Sequence, residues 1–270
     1  MDAALNSKRF IKRKSMLLQI STLVLSLFSI PLVSAAKNES AVAQIIDTNK
    51  AQFSQCITDK KQAAREAGVS ESRIESEFGN FSFVPRVIEL DRSQPEFVST
   101  FPSYFSKRVN EWRIEKGRQK YAEHREFLKT LTKKYGIPGH YLISFWGLET
   151  NYGGYKGKMQ ILDSLATLAC DERRSKFFTN ELFLALKLMD TQGLSRDNMK
   201  GSWAGALGHT QFMPTTYTNY AIDGDGDNKI DLYNSELDAL ASAANFLWKL
   251  GWKPGLRWGR EVKLPDGFDY

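Results

Sequence analysis

Three stretches of this sequence combine residue types suited to chemistry. In "FWGLETNYGG", residues 145–154, a lone carboxylate, Glu149, follows aromatic and aliphatic residues and precedes a glycine-rich turn. A glutamate at the C-terminal end of a helix opposes the helix dipole by ~0.3–1 kcal/mol. The neighbouring Phe145, Trp146 and Tyr152 add desolvation. Both effects disfavour the ionised form and raise the pKa. A general acid working near neutral pH needs that property. A solvated helix end is the simpler reading of the same residues.

The second stretch is "GSWAGALGHTQFMPTTY", residues 201–217, which sets small residues beside Trp203, Gln211, Phe212 and Met213. Small residues let a chain approach a ligand closely, and an aromatic ring beside an amide suits sugar faces. A tight core turn accounts for the composition equally well. The third is "DGDGDNKIDLYNSELD", residues 223–238. Asp223, Asp225, Asp227 and Asp231 occupy positions 1, 3, 5 and 9 of an EF-hand loop, with a carbonyl from Lys229 at position 7. The pattern departs twice: Asn228 stands where glycine is usual, and Asn234 replaces the bidentate glutamate at position 12. Asparagine tolerates a left-handed conformation. A solvated acidic turn is the alternative. His124, His140 and His209 form no zinc or triad pattern.

The elements that must position these residues read as helices. Residues 52–67 have helical spacing and stop at Gly68, and Ser70 is suited to cap a short helix to Phe78. A charged segment over 104–135 ends at Gly136 and reads as a solvated helix face. Pro138 suits the first position of the Glu149 helix, which should bury Tyr141, Leu142, Phe145 and Leu148. Asp163 and Ser175 are read as caps of the next two helices, and residues 235–250 as an amphipathic helix stopped by Gly251. No strand pair is convincing, although a short hairpin has room between 150 and 162 or beyond 255.

Residues 1–36 read as a secretory leader: Lys8, Arg9, Lys12, Arg13 and Lys14 precede an apolar run over 16–33 and the small residues "VSAA". An uncleaved membrane anchor is the alternative, since the run approaches the ~18 residues a span needs. Without the leader, 32 basic residues face 30 acidic ones, a net charge of +2, which argues against nucleic acid as a partner. The remaining hydrophobic content supports a packed core. Cys56 and Cys170, an even number behind a leader, are expected to pair in an oxidising compartment; two buried free thiols are the alternative.

Together with "LATLACDERRSKFF" and the order of the motifs, these stretches resemble the lytic murein transglycosylases of the membrane-bound lytic transglycosylase B type, from about Cys56 to Arg260. The resemblance implies a mainly α, lysozyme-like domain with an EF-hand-like calcium loop, occupying residues 37–270 behind the leader. Its helical N-terminal part would run to about residue 135 and its catalytic core from about 136 to 252. It implies a periplasmic, monomeric enzyme that cleaves peptidoglycan glycan strands between N-acetylmuramic acid and N-acetylglucosamine, without an organic cofactor or nucleic acid. Glu149 would be the catalytic acid. Ser202, Gln211, Arg173, Arg174, Tyr104 and Phe212 would line the substrate site. Asp223, Asp225, Asp227, Lys229 and Asp231 would hold Ca²⁺, with the loop closed by Asp238. The family's domain continues beyond the equivalent of Tyr270, so the C-terminal part is expected to be incomplete. A muramidase-type hydrolase with water as nucleophile, or a non-catalytic peptidoglycan-binding scaffold, stands as the alternative.

Overall fold

The computed structural model describes residues 33–93, 100–255, 259 and 262–268, with side chains from residue 49 onward. Two units separate at residue 45. The first is described only as helical backbone from Val33, so the basic and apolar leader residues before it lie outside the described residues. The second, Ile46–Tyr270, carries the core and every motif above.

Helices dominate. In chain order they are α1 (Val33–Glu66), α2 (Glu71–Glu77), α3 (Pro85–Arg92), α4 (Phe101–Arg108), α5 (Glu111–Glu123), α6 (Arg125–Tyr135) and α7 (Gly139–Thr150). A two-residue strand β1 (Met159–Gln160) precedes α8 (Ile161–Ala169) and α9 (Ser175–Thr191). The strand β2 (Lys200–Gly201), then α10 (Pro214–Tyr220) and α11 (Glu236–Lys249), complete the order. Among the described residues no helix is long and apolar enough to cross a membrane.

The helix α8, "ILDSLATLA", is apolar on nearly all sides, and such a helix has to be enclosed. All nine of its residues are buried. Its polar members are satisfied from the irregular segment before α3: Asp163 accepts from the Ser82 amide at 2.9 Å and Thr167 Oγ1 from the Val84 amide at 3.0 Å. Around α8 gather Phe53 and Ile57 of α1, Ile74 of α2, Val87 of α3 and Phe178, Leu182 and Leu186 of α9. The Cys56–Cys170 disulfide staples α1 to the end of α8 across 114 residues. A second core cluster joins Leu128 and Leu131 of α6, Leu142, Ile143 and Trp146 of α7, and Leu240 and Ala244 of α11. Phe145, one turn before Glu149, packs against both clusters.

The charged segment over 104–135 is three helices. Asn110 opens α5 by accepting the Arg113 amide at 2.9 Å, and the backbone turns again at His124. Gly136 closes α6 in the left-handed region (φ 70°). Ser70 caps its helix as expected, through the Arg73 amide, and Ser235 caps α11 through the amide of Asp238. Asp163 and Ser175 do not cap. Asp163 lies inside α8, paired with Arg196, and Ser175 Oγ donates to the Ala169 carbonyl at 2.6 Å. Pro138 precedes α7 as its cap residue. That helix buries Leu142, Ile143, Trp146, Gly147 and Thr150, while Leu148 is 43% exposed. The strand within 150–162 is real but is no hairpin: Met159 pairs with Gly201 and Gln160 with Lys200, antiparallel, across some forty residues.

Candidate active site

Glu149 occupies the penultimate position of α7. The chain leaves it through two consecutive non-glycine residues in the left-handed region, Asn151 (φ 52°) and Tyr152 (φ 58°). Such residues are uncommon and persist where surrounding structure over-determines them. Here α5 does so. Arg113 Nε donates to Asn151 Oδ1 at 3.0 Å, and Tyr152 Oη donates to the Arg113 carbonyl at 2.7 Å.

Glu149 is exposed as a residue, yet the protein around its carboxyl desolvates it enough to raise its pKa. Arg108, at the end of α4, partly opposes the rise through its charge. No carboxylate among the described residues adds to it. The Arg108 guanidinium also lies over the Tyr104 ring, 5.3 Å from its centroid, which brings the half-exposed Tyr104 to the Glu149 side of the molecule.

The loop after α7 abuts the glycine-rich stretch. A Cβ on Gly157 would stand 2.0 Å from the Gly201 carbonyl oxygen, so only glycine permits this approach. Gln211 fastens the two segments: its side-chain nitrogen donates to the carbonyls of Lys156 (3.1 Å) and Gly208 (2.9 Å). Gln211 is itself left-handed at φ 49°. Its amide nitrogen is thereby committed to the scaffold. Ser202 Oγ accepts the amides of Ala204 and Ala206 at 3.3 and 3.0 Å, which leaves its own proton free to donate. Phe212 is 3% exposed and packs against Phe246, with its ring in the core rather than on an open wall.

Arg173 and Arg174 converge on Asp91, whose side chain is 1% exposed. Arg173 reaches it at 2.6 Å and also donates to the Asp91 carbonyl; Arg174 forms a second ion pair with it. Both guanidinium groups keep an exposed edge, at 48% and 37%. Burial pushes the Asp91 carboxyl up, but the hydrogen bonds from Arg174 and Arg173 outweigh it and hold the pKa below the ordinary aspartate value.

In the acidic loop, carboxylate oxygens of Asp223, Asp225 and Asp227 lie within 4.8 Å of one another. Asp231 and Asp238 stand outside that trio. Asp231 accepts the amides of Tyr233 and Asn234 at 2.9 and 3.0 Å. Asp238, buried at the start of α11, accepts the amides of Gly224 and Asp231, both at 2.7 Å, and so ties the two ends of the loop together. Asn228 is left-handed at φ 67°, as the sixth position of such a loop requires. Hard carboxylate oxygens gathered on this turn fit a calcium ion. A second acidic group, Glu123, His124 and Glu236, already holds a cation: the Lys120 ammonium lies 2.8 Å from Glu123 and 3.1 Å from Glu236.

Arg108, Arg113 and Asp91 were not legible as parts of this site. Their segments carry no motif, and only the packing of α3, α4 and α5 delivers them.

The chain is similar to known proteins over most of its length. Residues 52–270 match the model of the transglycosylase SLT domain. The membrane-bound lytic murein transglycosylase B of Escherichia coli (strain K12) is 34% identical over 171 residues, 61% of this chain and 47% of that protein. Among solved structures, SltB3 from Pseudomonas aeruginosa superposes with a TM-score of 0.74 at 40% identity, covering 80% of this chain and 58% of that one. It was solved in complex with NAG-NAM-pentapeptide and, separately, with NAG-anhNAM-pentapeptide. The Escherichia coli lytic transglycosylase SLT35, in complex with calcium, gives a TM-score of 0.67 at 29% identity, covering 77% of this chain and 66% of that one. The chain thus spans about half the length of the curated relative it matches. With its motifs in order on a mainly helical, lysozyme-like frame, and its family match running from α1 to the last residue, this chain belongs to the transglycosylase SLT domain family.

Proposed function

We propose that this chain is a peptidoglycan lytic transglycosylase acting on the β-1,4 bond between N-acetylmuramic acid and N-acetylglucosamine. One observation carries the reading: Glu149 stands exposed at the end of α7 with its pKa raised by desolvation, and among the described residues no other carboxylate hydrogen-bonds to it or contributes to that rise. Ordinary glycosidases need two carboxylates, one as acid and one as base or nucleophile. A single group can serve when the substrate supplies the nucleophiles. Glu149 protonates the glycosidic oxygen as the bond to C1 breaks, and the muramyl acetamido oxygen bonds to C1. The Glu149 carboxylate then takes the proton of the C6 hydroxyl. O6 displaces the acetamido oxygen at C1, which closes a 1,6-anhydro ring and consumes no water. The ligands solved with SltB3 are fragments of that substrate and product class.

In this reading Ser202 and Gln211 position acetamido and hydroxyl groups, and Tyr104 lies along the glycan. The exposed edges of Arg173 and Arg174 face peptide or lactyl carboxylates. Asp223, Asp225, Asp227, the Lys229 carbonyl and Asp231 hold a structural Ca²⁺, with Asp238 bracing the loop. The protein works in the periplasm behind a secretory leader, as a monomer.

Digestion of purified sacculi in H₂¹⁸O, followed by mass spectrometry of the released muropeptides, tests the chemistry. Anhydro ends without ¹⁸O are expected. Reducing ends labelled with ¹⁸O would make the chain a hydrolase, and no release at all would favour a binding scaffold.

A further inference from the structure

His209 is 5% exposed and touches the end of α7 and the turn after it at three points. Its ring nitrogen Nδ1 lies 3.0 Å from Trp146 Nε1. An indole nitrogen is a donor only, so Nδ1 accepts. The His209 carbonyl accepts from Thr150 Oγ1 at 2.8 Å, and that hydroxyl in turn accepts the Gly153 amide at 3.0 Å. The ring lies so close to Gly153 that a Cβ there would stand 2.2 Å from its Cε1. On the far side, the His209 amide donates to the Leu232 carbonyl at 2.8 Å, within the acidic stretch over 223–238.

Glu149 lies between these anchors, three residues after Trp146 and one before Thr150. Its own carboxyl has no hydrogen-bond partner among the described residues. Nothing attached to the carboxylate therefore fixes it. Its position depends on the last turn of α7 and on the strained turn that follows. Trp146 is 1% exposed within the second core cluster, and its ring also meets Tyr152 edge-on at 5.7 Å, His124 at 6.0 Å and the Lys120 ammonium at 5.4 Å. Among the described residues the indole N–H has this one acceptor.

We propose that His209 is a positioning residue for Glu149, and that its essential feature is an unprotonated acceptor at Nδ1 bonded to the Trp146 indole. The inference rests on the role of Glu149 stated above. Burial, then the nearby Lys156 charge, holds the His209 pKa down to about 4, so the ring is neutral near pH 7. Asparagine places Oδ1 where histidine has Nδ1 and keeps the acceptor. Glutamine of similar length places its polar atoms near Nε2 and loses it. Leucine keeps bulk without any acceptor.

The test compares His209→Asn, His209→Gln and His209→Leu in the full chain, by kcat and KM on purified sacculi and by the ¹⁵N–¹H resonance of the Trp146 indole. Misplacing a catalytic group by about an ångström costs roughly 100-fold in rate. His209→Leu and His209→Gln should lose about 10- to 100-fold in kcat with KM little changed. Their Trp146 indole proton should shift upfield and exchange faster. His209→Asn should recover most of the rate and a protected indole proton. Folded Leu and Gln variants with wild-type kcat would overturn the inference, and so would an Asn variant no better than Leu. Should the Leu variant fail to fold, Trp146→Phe removes the same bond from the other side. It should show the same kcat loss, and a wild-type rate there would overturn the inference as well. A wild-type chain that releases no anhydro-muropeptide fails the functional reading and this inference with it. A wild type that turns over beside variants that match it fails the inference alone.

Discussion

The positive charge of Arg108 holds the Glu149 pKa down against the desolvation that drives it up. Desolvation wins, so the carboxyl titrates above the ordinary glutamate range. The acid must be protonated at the start of the reaction. Activity should therefore decline as pH rises through the raised Glu149 value. Removing the charge takes away the opposing effect. In Arg108→Gln the alkaline limb of the kcat–pH profile should move to higher pH. An unmoved or lower limb would show that Arg108 does not act on the general acid.

Asp91 is buried between Arg173 and Arg174, and removing its side chain leaves both guanidinium groups without the carboxylate, Arg173 keeping only the backbone carbonyl. Breaking a fully buried ion pair costs about 3–5 kcal/mol. The arginines here are partly exposed, so water recovers some of that, and about 1–3 kcal/mol is expected for Asp91→Ala. In a domain of this size that is a fall in melting temperature of roughly 3–10 °C. The folded-state pKa of Asp91 lies below its unfolded value, so its contribution is complete above the unfolded pKa near 3.8 and lost as pH falls through the lower folded value. The wild-type and Asp91→Ala melting temperatures should converge there. A constant gap down to the most acidic pH would contradict the ion-pair account.

The acidic trio should answer to calcium. At a hundred times Kd the ion adds ~2.7 kcal/mol to the folded state, about 5–10 °C in melting temperature. No bidentate glutamate closes the loop, so Kd should fall near 10⁻⁴–10⁻³ M, roughly the range of extracellular sites. Asp225→Ala should abolish the response and retain residual turnover, because Glu149 performs the chemistry. Identical melting curves in EDTA and in millimolar Ca²⁺ would make the loop an ordinary acidic turn.

The Cys56–Cys170 disulfide closes a loop of more than a hundred residues. The chain-entropy estimate for such a loop is about 4–5 kcal/mol. The double variant Cys56→Ala, Cys170→Ala should lose stability of that order in urea unfolding. A loss below about 1 kcal/mol would mean that α1 and α8 are held together by packing alone.

How much of this was readable depends on the range of each interaction. Ser70 was legible as a cap because the cap and the amide it receives are three residues apart. Asp163 has the same local look, but Arg196 and the Ser82 amide claim it from distant segments. The buried face of α7 was misjudged because the helix is apolar almost all round. Trp146 turns inward toward His209, which leaves Leu148 outside. The strands β1 and β2 have two residues each, too few to show alternation. Glu149 and the acidic loop are contiguous motifs and could be picked out directly. Arg108, Asp91 and the acceptor role of His209 exist only once the chain is folded.

The central claim is that one carboxylate, Glu149, both gives and retrieves a proton. Glutamine is nearly isosteric with glutamate but can do neither. The decisive measurement is muropeptide release from purified sacculi by Glu149→Gln beside the wild type, with sacculus binding and melting temperature recorded for both. The account predicts no detectable anhydro-muropeptide from the variant, with binding and melting essentially unchanged. A folded, sacculus-binding Glu149→Gln protein that retained more than a few per cent of wild-type release would place the catalytic acid elsewhere.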